Sequence, residues 1–524
     1  MTKYKPSELK KRYESAERQK SHWRAIYEDA YRYALPDRNL YDGYYDGNVP
    51  GQDKMSKVFD STAMQSTQKF ANRIQSGLFP PQQSWCRLQP GEQIPEERQI
   101  EVQQILDRYS DQMFSVMRQS KFDLAIGEFL QELAIGTAVL LIQPGDDVEP
   151  IRYTCIPTFL ISFDEGPNGS VEKVYRKMKR PYEVLDQEFP DINIPPNMAK
   201  KYEQDPTQLV EMIEGTYFDK TTGNVHYQII SDNGQDELVY RNLKSFPWVI
   251  SRYSKTAGER YGRGPVLLAL PDTKSLNVTK QLALKNASLS IGGVFTASDD
   301  GVLNPNTVRI VPGAIIPVAR NGGPQGESLK PLPRSGDAQL TQFTANDLIS
   351  SIKTIMLDES LPPDTMSARS ATEIQERMKQ LSQNLGSAFG RLISETMYPI
   401  VRRTLELMNE LGMIELPLKV NGLQVKISPT APLAMAQNME KVNEVLNYMK
   451  ILQGLGPQGQ LFLNQEKAMD FIADNLGIPA SLRTTPEERQ ALIQQAQQMA
   501  QMAQQQGMMD GPGPGTEDPI PEQQ

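Results

Sequence analysis

DTKSLNVTKQLALKNASLSI (Asp272–Ile291) and QLTQFTANDLISSIKTIML (Gln339–Leu357) are the two stretches whose reading decides how this chain folds. Both read as helices. The 46 residues between them, Gly292–Asp337, contain 8 Gly and 6 Pro, against 74 Gly and Pro in all 524 residues. That composition excludes a continuous helix and favours turns around short extended runs such as Val308–Val318. A helix going out, a compact Gly/Pro lobe and a helix coming back describe a stalk with a tip. At 1.5 Å per residue the stalk is about 28 Å long.

The outgoing helix is not cleanly amphipathic. Leu276, Ala283, Ala287 and Ile291 form one row, while Leu282, Leu284 and Leu289 face elsewhere. A helix that is apolar on more than one side is covered on more than one side. One returning helix cannot do that, which points to neighbouring copies of the chain. The alternative is a buried helical hairpin inside a monomeric core.

Downstream, Leu361-Pro362-Pro363-Asp364 interrupts the chain before a longer helix, Ala371–Leu411, with Ile374, Met378, Leu381, Leu385, Phe389, Leu392, Ile400, Met408 and Leu411 close to a heptad rhythm. Gly386, Ala388 and Gly390 are small enough for another backbone to approach. Pro399 lacks an N–H and clashes with the carbonyl of Glu395, so a kink is expected there, a break into two helices being the alternative. A short extended piece (Leu418–Ile427) and a helical region (Leu433–Leu476) follow. Thr485-Pro486-Glu487-Glu488 then signals a helix start, and a Gly-, Pro- and acid-rich tail from Gly507 reads as disordered.

Upstream, a helix is expected over Pro6–Ala34, another after an Asp60 cap up to Gly77-Leu78-Phe79-Pro80, and two more near Glu97–Gln119 and Asp123–Ile135. From Ala138 the apolar period drops to 2. Strands are expected at Ala138–Gln143, Ile151–Ile156, Phe159–Phe163, Val171–Met178, Leu209–Phe218, Val225–Ile230, Glu237–Arg241 and Trp248–Tyr253. Asn168-Gly169, Thr222-Gly223 and Asn233-Gly234 supply turns. Residues 1–260 therefore read as α+β, a helical front before a mostly antiparallel sheet.

The net charge of −9 and a pI near 5.2 argue against a dedicated nucleic-acid binder gripping through a basic patch. Cys86 and Cys155 are too few for a disulfide framework or a cysteine-rich zinc site. The N-terminus lacks the apolar core of a secretory signal, and no window approaches 18 apolar residues, so a protein made in a cytoplasm is expected.

Catalytic patterns are missing. Tyr261-Gly-Arg-Gly-Pro265 lacks the third glycine and the lysine of a phosphate-binding loop and reads as a turn feeding a helix from Pro265. His22 is expected on a helix and His226 on a strand, with no converging carboxylates for a metal. Asp146-Asp147, Asp299-Asp300 and Asp358-Glu359 lie at expected turns, where solvated carboxylates are ordinary. Trp85 in PPQQSWCRL reads as an aromatic anchoring a loop to the core. No enzyme, metal site or cofactor is expected.

Four pieces in register carry a resemblance: FDSTAMQSTQKFANRIQSGLFPPQQSW (Phe59–Trp85), GERYGRGPVLLALPDTKSLN (Gly258–Asn277), SARSATEIQERM (Ser367–Met378) and LGSAFGRLISETMYPIVRRTLELMNELG (Leu385–Gly412). With the Gln/Met-rich tail, they resemble the head-to-tail connector (portal) proteins of podovirus-type tailed bacteriophages. The likeness spans nearly the whole chain and is only generic over 292–337. It implies a mainly helical α+β portal fold with wing, stem, clip and crown, assembled as a ring that is dodecameric in that family. The implied divisions are a wing (1–260), a first stem helix (261–291), a clip (292–337) and a second stem helix (338–357). A channel loop (358–370), a kinked long wing helix with its following strand (371–432), a crown with a C-terminal helix (433–506) and a disordered tail (507–524) complete them.

The resemblance further implies a site at one capsid vertex, double-stranded DNA passing through the hole, and no membrane partner. Implied partners are the terminase large subunit, then tail adaptor and tail tube proteins, with capsid, scaffold and internal core proteins on the other side. Ring symmetry repeats every charge about the axis. Lys274, Lys280 and Lys285 on the outgoing helix, Lys353 on the returning one and Arg369 in the loop are candidates to face DNA. Asp358, Glu359 and Asp364 share that loop. For each cation the alternative is a solvated or salt-bridged side chain. Rival readings are a helical scaffold or adaptor without a channel and, further off, a carboxylate-dependent hydrolase.

Overall fold

The computed structural model describes residues 3–38, 54–202, 205–220, 222–292, 295–297, 329–331, 338–358, 380–381, 383–415, 424–454 and 463–476. They fall into two compact units interleaved along the chain, one within 1–85, 113–415 and 431–436, the other within 86–112, 416–430 and 437–524.

The first unit opens with α1 (Pro6–Ser21) and α2 (Arg24–Ala34). The single helix expected over Pro6–Ala34 is thus broken at His22-Trp23, and His22 lies in the break rather than on a helix. The break separates two burial directions. α1 lays Leu9 and Ala16 against strands, while α2 turns Tyr27, Ala30, Tyr31 and Ala34 inward. Trp23 meets Tyr27 and Tyr261 with ring centroids 5.5 and 6.0 Å away.

Helix α3 (Thr62–Leu78) begins where Asp60 Oδ1 accepts the Thr62 N–H at 2.8 Å. Trp85 ends the segment as the expected core anchor, packed edge-on against Phe79 and Phe114 at 5.1 and 5.2 Å. Beyond the strand β1 (Cys86–Pro90) come α4 (Glu96–Gln119) and α5 (Phe122–Ile135).

Two antiparallel sheets follow. The strands β2 (Thr137–Pro144), β3 (Ile151–Ile156) and β9 (Trp248–Arg252) form one, with β2 central. In the other, β4 (Ile161–Glu165), β5 (Val171–Pro181), β6 (Leu209–Phe218), β7 (Val225–Ser231) and β8 (Glu237–Leu243) pair in chain order. Period 2 gives this meander two apolar faces. Met212, Tyr227, Ile229 and Val239 lie on one, with Leu185 of the short helix α6 (Leu185–Glu188) and Met198 of α7 (Pro196–Tyr202). Ile213, Tyr217 and Ile230 lie on the other, under Leu9 and Ala16.

Helix α8 (Pro265–Gly292) starts at Pro265, as the Tyr261-Gly-Arg-Gly-Pro265 turn predicts, and runs through Pro271 into the Asp272–Ile291 stretch. The strands β10 (Phe295–Ala297) and β11 (Leu329–Pro331) pair at the base of the Gly/Pro-rich insert, and Val308–Val318 lies outside the described residues. Helix α9 (Ala338–Ile355) returns.

The long helix expected over Ala371–Leu411 is not continuous. Residues 383–385 are helical, then Gly386 takes φ 48°, a left-handed value that stops the helix before α10 (Ser387–Leu392). A π-helical turn (Ile393–Met397) leads directly into α11 (Tyr398–Glu410). The wider π turn changes the hydrogen-bond register just where Pro399 has no N–H for the Glu395 carbonyl, so the helix passes the proline without ending. Residues 371–379 lie outside the described set.

In the second unit, β1 pairs antiparallel with β12 (Val425–Pro429), from Cys86 opposite Pro429 to Pro90 opposite Val425. Arg87 holds Asp107 of α4 through two bonds of 2.9 and 2.8 Å. The extended piece expected at Leu418–Ile427 is therefore seen from Val425. The region Leu433–Leu476 resolves into α12 (Pro432–Gly454) and α13 (Gln465–Asn475). The helix start at Thr485 and the tail from Gly507 lie outside the described residues.

Candidate functional site

The α8–α9 hairpin is aimed by a seam of bare backbone. The Gly264 N–H bonds the Ile135 carbonyl at 2.8 Å, and the Gly262 N–H bonds Thr137 Oγ1 at 2.7 Å. A Cβ on Gly264 would stand 2.1 Å from the Ala134 oxygen, and one on Gly262 would stand 2.3 Å from the Gly136 oxygen. Only glycine allows this approach. Tyr261-Gly-Arg-Gly-Pro265 is thus the turn into a helix that its spacing predicts, docked against the end of α5.

The root of the hairpin is closed within the chain. Val266, Ala269, Leu270 and Leu276 of α8, with Ala345 and Ile352 of α9 and Met356 just after it, are buried. Ser351 Oγ donates to Asp272 Oδ2 at 2.6 Å across the two helices. Asn277 is buried too, accepting the Phe59 N–H at 2.6 Å and donating to the Lys57 carbonyl at 3.1 Å. Inside the turn that Pro271 interrupts, the Thr273 hydroxyl donates to the Ala269 carbonyl at 2.8 Å.

Beyond Asn277 the pattern reverses. Leu282 is 58% and Leu284 57% exposed, and at 3.6 residues per turn they project about 200° apart. Val278 on α8 is half exposed, and Leu340 and Phe343 on α9 are more than half exposed, Phe343 at 72%. Large apolar side chains open on opposite sides of one helix are the pattern of an interaction surface rather than of a monomer's face.

The sequence candidates separate here. Lys274 forms an ion pair with Asp29 of α2, so it is a tether of the root. Lys285 and Lys353 are exposed and Lys280 half-exposed; none makes an ion pair among the described residues. Asp358 corrects the solvated-carboxylate reading: it is buried, accepting from Ser66 Oγ at 2.9 Å with Lys69 Nζ 3.1 Å away. Together with Arg73, which donates to the Leu357 carbonyl, it ties the end of α9 to α3. Glu359, Asp364 and Arg369 lie outside the described residues.

Pro399 lines a cavity with a feature that sequence reasoning missed. The π turn places Glu395 on Arg252 of β9, with Arg252 Nη2 2.7 Å and its backbone N 3.0 Å from the carboxylate. Arg252 also bonds Glu165, which Lys255 holds at 2.7 Å. No signal in the sequence links residues 165, 252 and 395. Among the described residues no cluster of His, Cys, Asp and Glu suits a metal, and no helix is long and apolar enough to cross a membrane.

A model of the bacteriophage head to tail connecting protein family matches residues 6–483. A probable portal protein of Bordetella phage BPP-1 is 23% identical over 95% of this chain and 91% of that protein. The portal proteins of Enterobacteria phage T3 and Escherichia phage T7 are each 21% identical, over 81% and 84% of this chain and 79% and 81% of their own lengths. Among solved structures, a native gene transfer agent virion aligns with a TM-score of 0.34 and 13% identity, over 81% of this chain and 94% of that one. With the family match running nearly end to end, the chain belongs to the bacteriophage head-to-tail connecting proteins.

Proposed function

We propose that copies of this chain close into a ring at one capsid vertex, dodecameric as the family resemblance implies, and that the ring is the channel through which double-stranded DNA enters and leaves. The observation that carries this reading is the distal half of α8, with Leu282 and Leu284 open on opposite sides. In a closed ring each α8–α9 hairpin lies between two others, which covers both sides at once. The work is structural and carries no chemistry.

In this reading α8 and α9 are the stem, the β10–β11 pair is the base of the clip, and the segment after Asp358 is the channel loop. The terminase large subunit docks on the clip during packaging, and tail adaptor proteins replace it. Scaffold, capsid and internal core proteins meet the opposite side, and the finished ring resides in the virion between head and tail. Lys280, Lys285 and Lys353 become rings of charge on the stem, and Arg369 is the one cation of 358–370. Lys274, held by Asp29, contributes least.

Native mass measurement with negative-stain imaging of the purified chain tests the proposal. Rings with a central hole wide enough for a duplex are expected, and monomers or fibres under every condition would overturn it. Arg369→Glu tests the loop: rings that melt normally but package poorly support a channel role, whereas lowered melting makes Arg369 a structural residue.

A further inference from the structure

Arg252 and Arg403 lie in the same unit, each 3% exposed, and are treated in opposite ways. Arg252 is saturated by Glu165 and Glu395. Arg403, on α11, donates to the Ser245 hydroxyl and, at 3.5 Å, to the carbonyls of Ile142 and Ser245, and it has no carboxylate partner among the described residues. A guanidinium taken out of water with no carboxylate in direct contact is an expensive arrangement.

Arg403 lines a cavity of about 980 Å³, walled by the turn between β8 and β9, the start of β5, and α10 to α11. Lys244 and Arg402 stand exposed on the same wall, also without an ion pair among the described residues. The other lining cations are neutralised: Lys220 by Glu172, Arg391 by Glu395, and Lys255 by Glu165. Glu406 is the exception among the acids, with Oε2 buried and lacking a hydrogen-bond partner. Phe246 and Tyr398 give the cavity half-buried aromatic surface.

We propose that this cavity binds a short acidic peptide segment of a protein partner. Carboxylates of the segment meet Arg403, Arg402 and Lys244, and one of its apolar side chains lies on Phe246 and Tyr398. The space is of the size that encloses a drug-sized or peptide ligand, far beyond what a single small oxyanion fills. What favours a peptide over a phosphate is the pairing of the exposed cations Arg402 and Lys244 with the half-buried rings of Phe246 and Tyr398, which gives acidic and apolar side chains a place at once.

The test is fluorescence anisotropy on the full-length chain with a fluorescein-labelled hexapeptide of alternating glutamate and phenylalanine. Saturable binding is expected, weakened at least about tenfold when glutamine replaces glutamate in the peptide. Arg402→Glu and Lys244→Glu, both at exposed positions, should each weaken binding about fivefold or more with melting unchanged. Affinity unchanged in both variants, or equal binding of the glutamine peptide, overturns the proposal. So does displacement by equimolar inorganic phosphate or a DNA duplex. Binding to the unassembled chain but not to rings overturns it as well, since a second copy would then fill the cavity.

Discussion

The two ends of α8 are built for different surroundings. At the root, Val266, Ala269, Leu270, Leu276 and even Asn277 are satisfied by the chain's own helices and loops. Directly beyond, Val278, Leu282 and Leu284 are half or more exposed among the described residues. One helix therefore completes its fold at one end and leaves it incomplete at the other. In the proposed ring, root residues set the stability of the single chain, while distal residues set the stability of the assembly.

That division breaks most visibly at the distal end. Leu282→Asp with Leu284→Asp should abolish rings, because each charge is then buried in an intersubunit contact, yet leave the chain folded with melting nearly unchanged. Size-exclusion chromatography with circular dichroism reads both, and a variant that still forms rings removes the contrast. At the root, Leu276→Ala should do the reverse, destabilising the isolated chain by about 2–5 kcal/mol in denaturant unfolding while the distal contact surface is retained.

A smaller effect is expected where α9 is tied down. Asp358→Ala loses the Ser66 bond and the Lys69 contact and should cost about 1–2 kcal/mol in the same measurement. No loss would mean that the α9 end is held by apolar packing alone. The smallest effect is at Glu406. Burial raises its carboxyl above the ordinary 4.5, against the pull of Ser245, Arg403 and Arg402. The folded chain thus holds that proton more tightly than the unfolded one, and the wild type loses stability as pH rises from 4.5 through the folded value. Glu406→Gln does not titrate, so its melting temperature relative to wild type should climb by a degree or two between about pH 4.5 and 8. A difference that is flat with pH would show an unburied carboxylate.

Much of the root was legible in the sequence, since periodicity and punctuation are local signals. Period-2 runs with Asn-Gly and Thr-Gly turns placed the eight strands of the two larger sheets, and Tyr261-Gly-Arg-Gly-Pro265 placed the turn into α8. Leu282 and Leu284 were readable as facing apart for the same reason. What escaped was set by partners distant in the chain. The break at His22-Trp23 carries no glycine or proline; Trp23 is placed by Tyr261. The β1–β12 pairing joins residues more than three hundred positions apart, and no local pattern in PPQQSWCRL announces it. Asp358 looked like a turn acid because its burial depends on α3. Arg252 and Arg403 are indistinguishable in sequence, although one is saturated with carboxylates and the other forms no ion pair among the described residues.

The glycine seam between residues 134–136 and 262–264 has a consequence for how such a chain can vary. Because the contact at residues 262–264 is main chain on main chain, the entry into α8 does not depend on their side chains, while Lys274, Asn277 and Asp358 hold the rest of the root. The distal surfaces, where Leu282, Leu284, Leu340 and Phe343 are exposed, can be re-lettered without re-aiming the hairpin. At the seam itself there is no such freedom: a single methyl group at Gly136, Gly262 or Gly264 would meet a carbonyl oxygen and swing the whole lever.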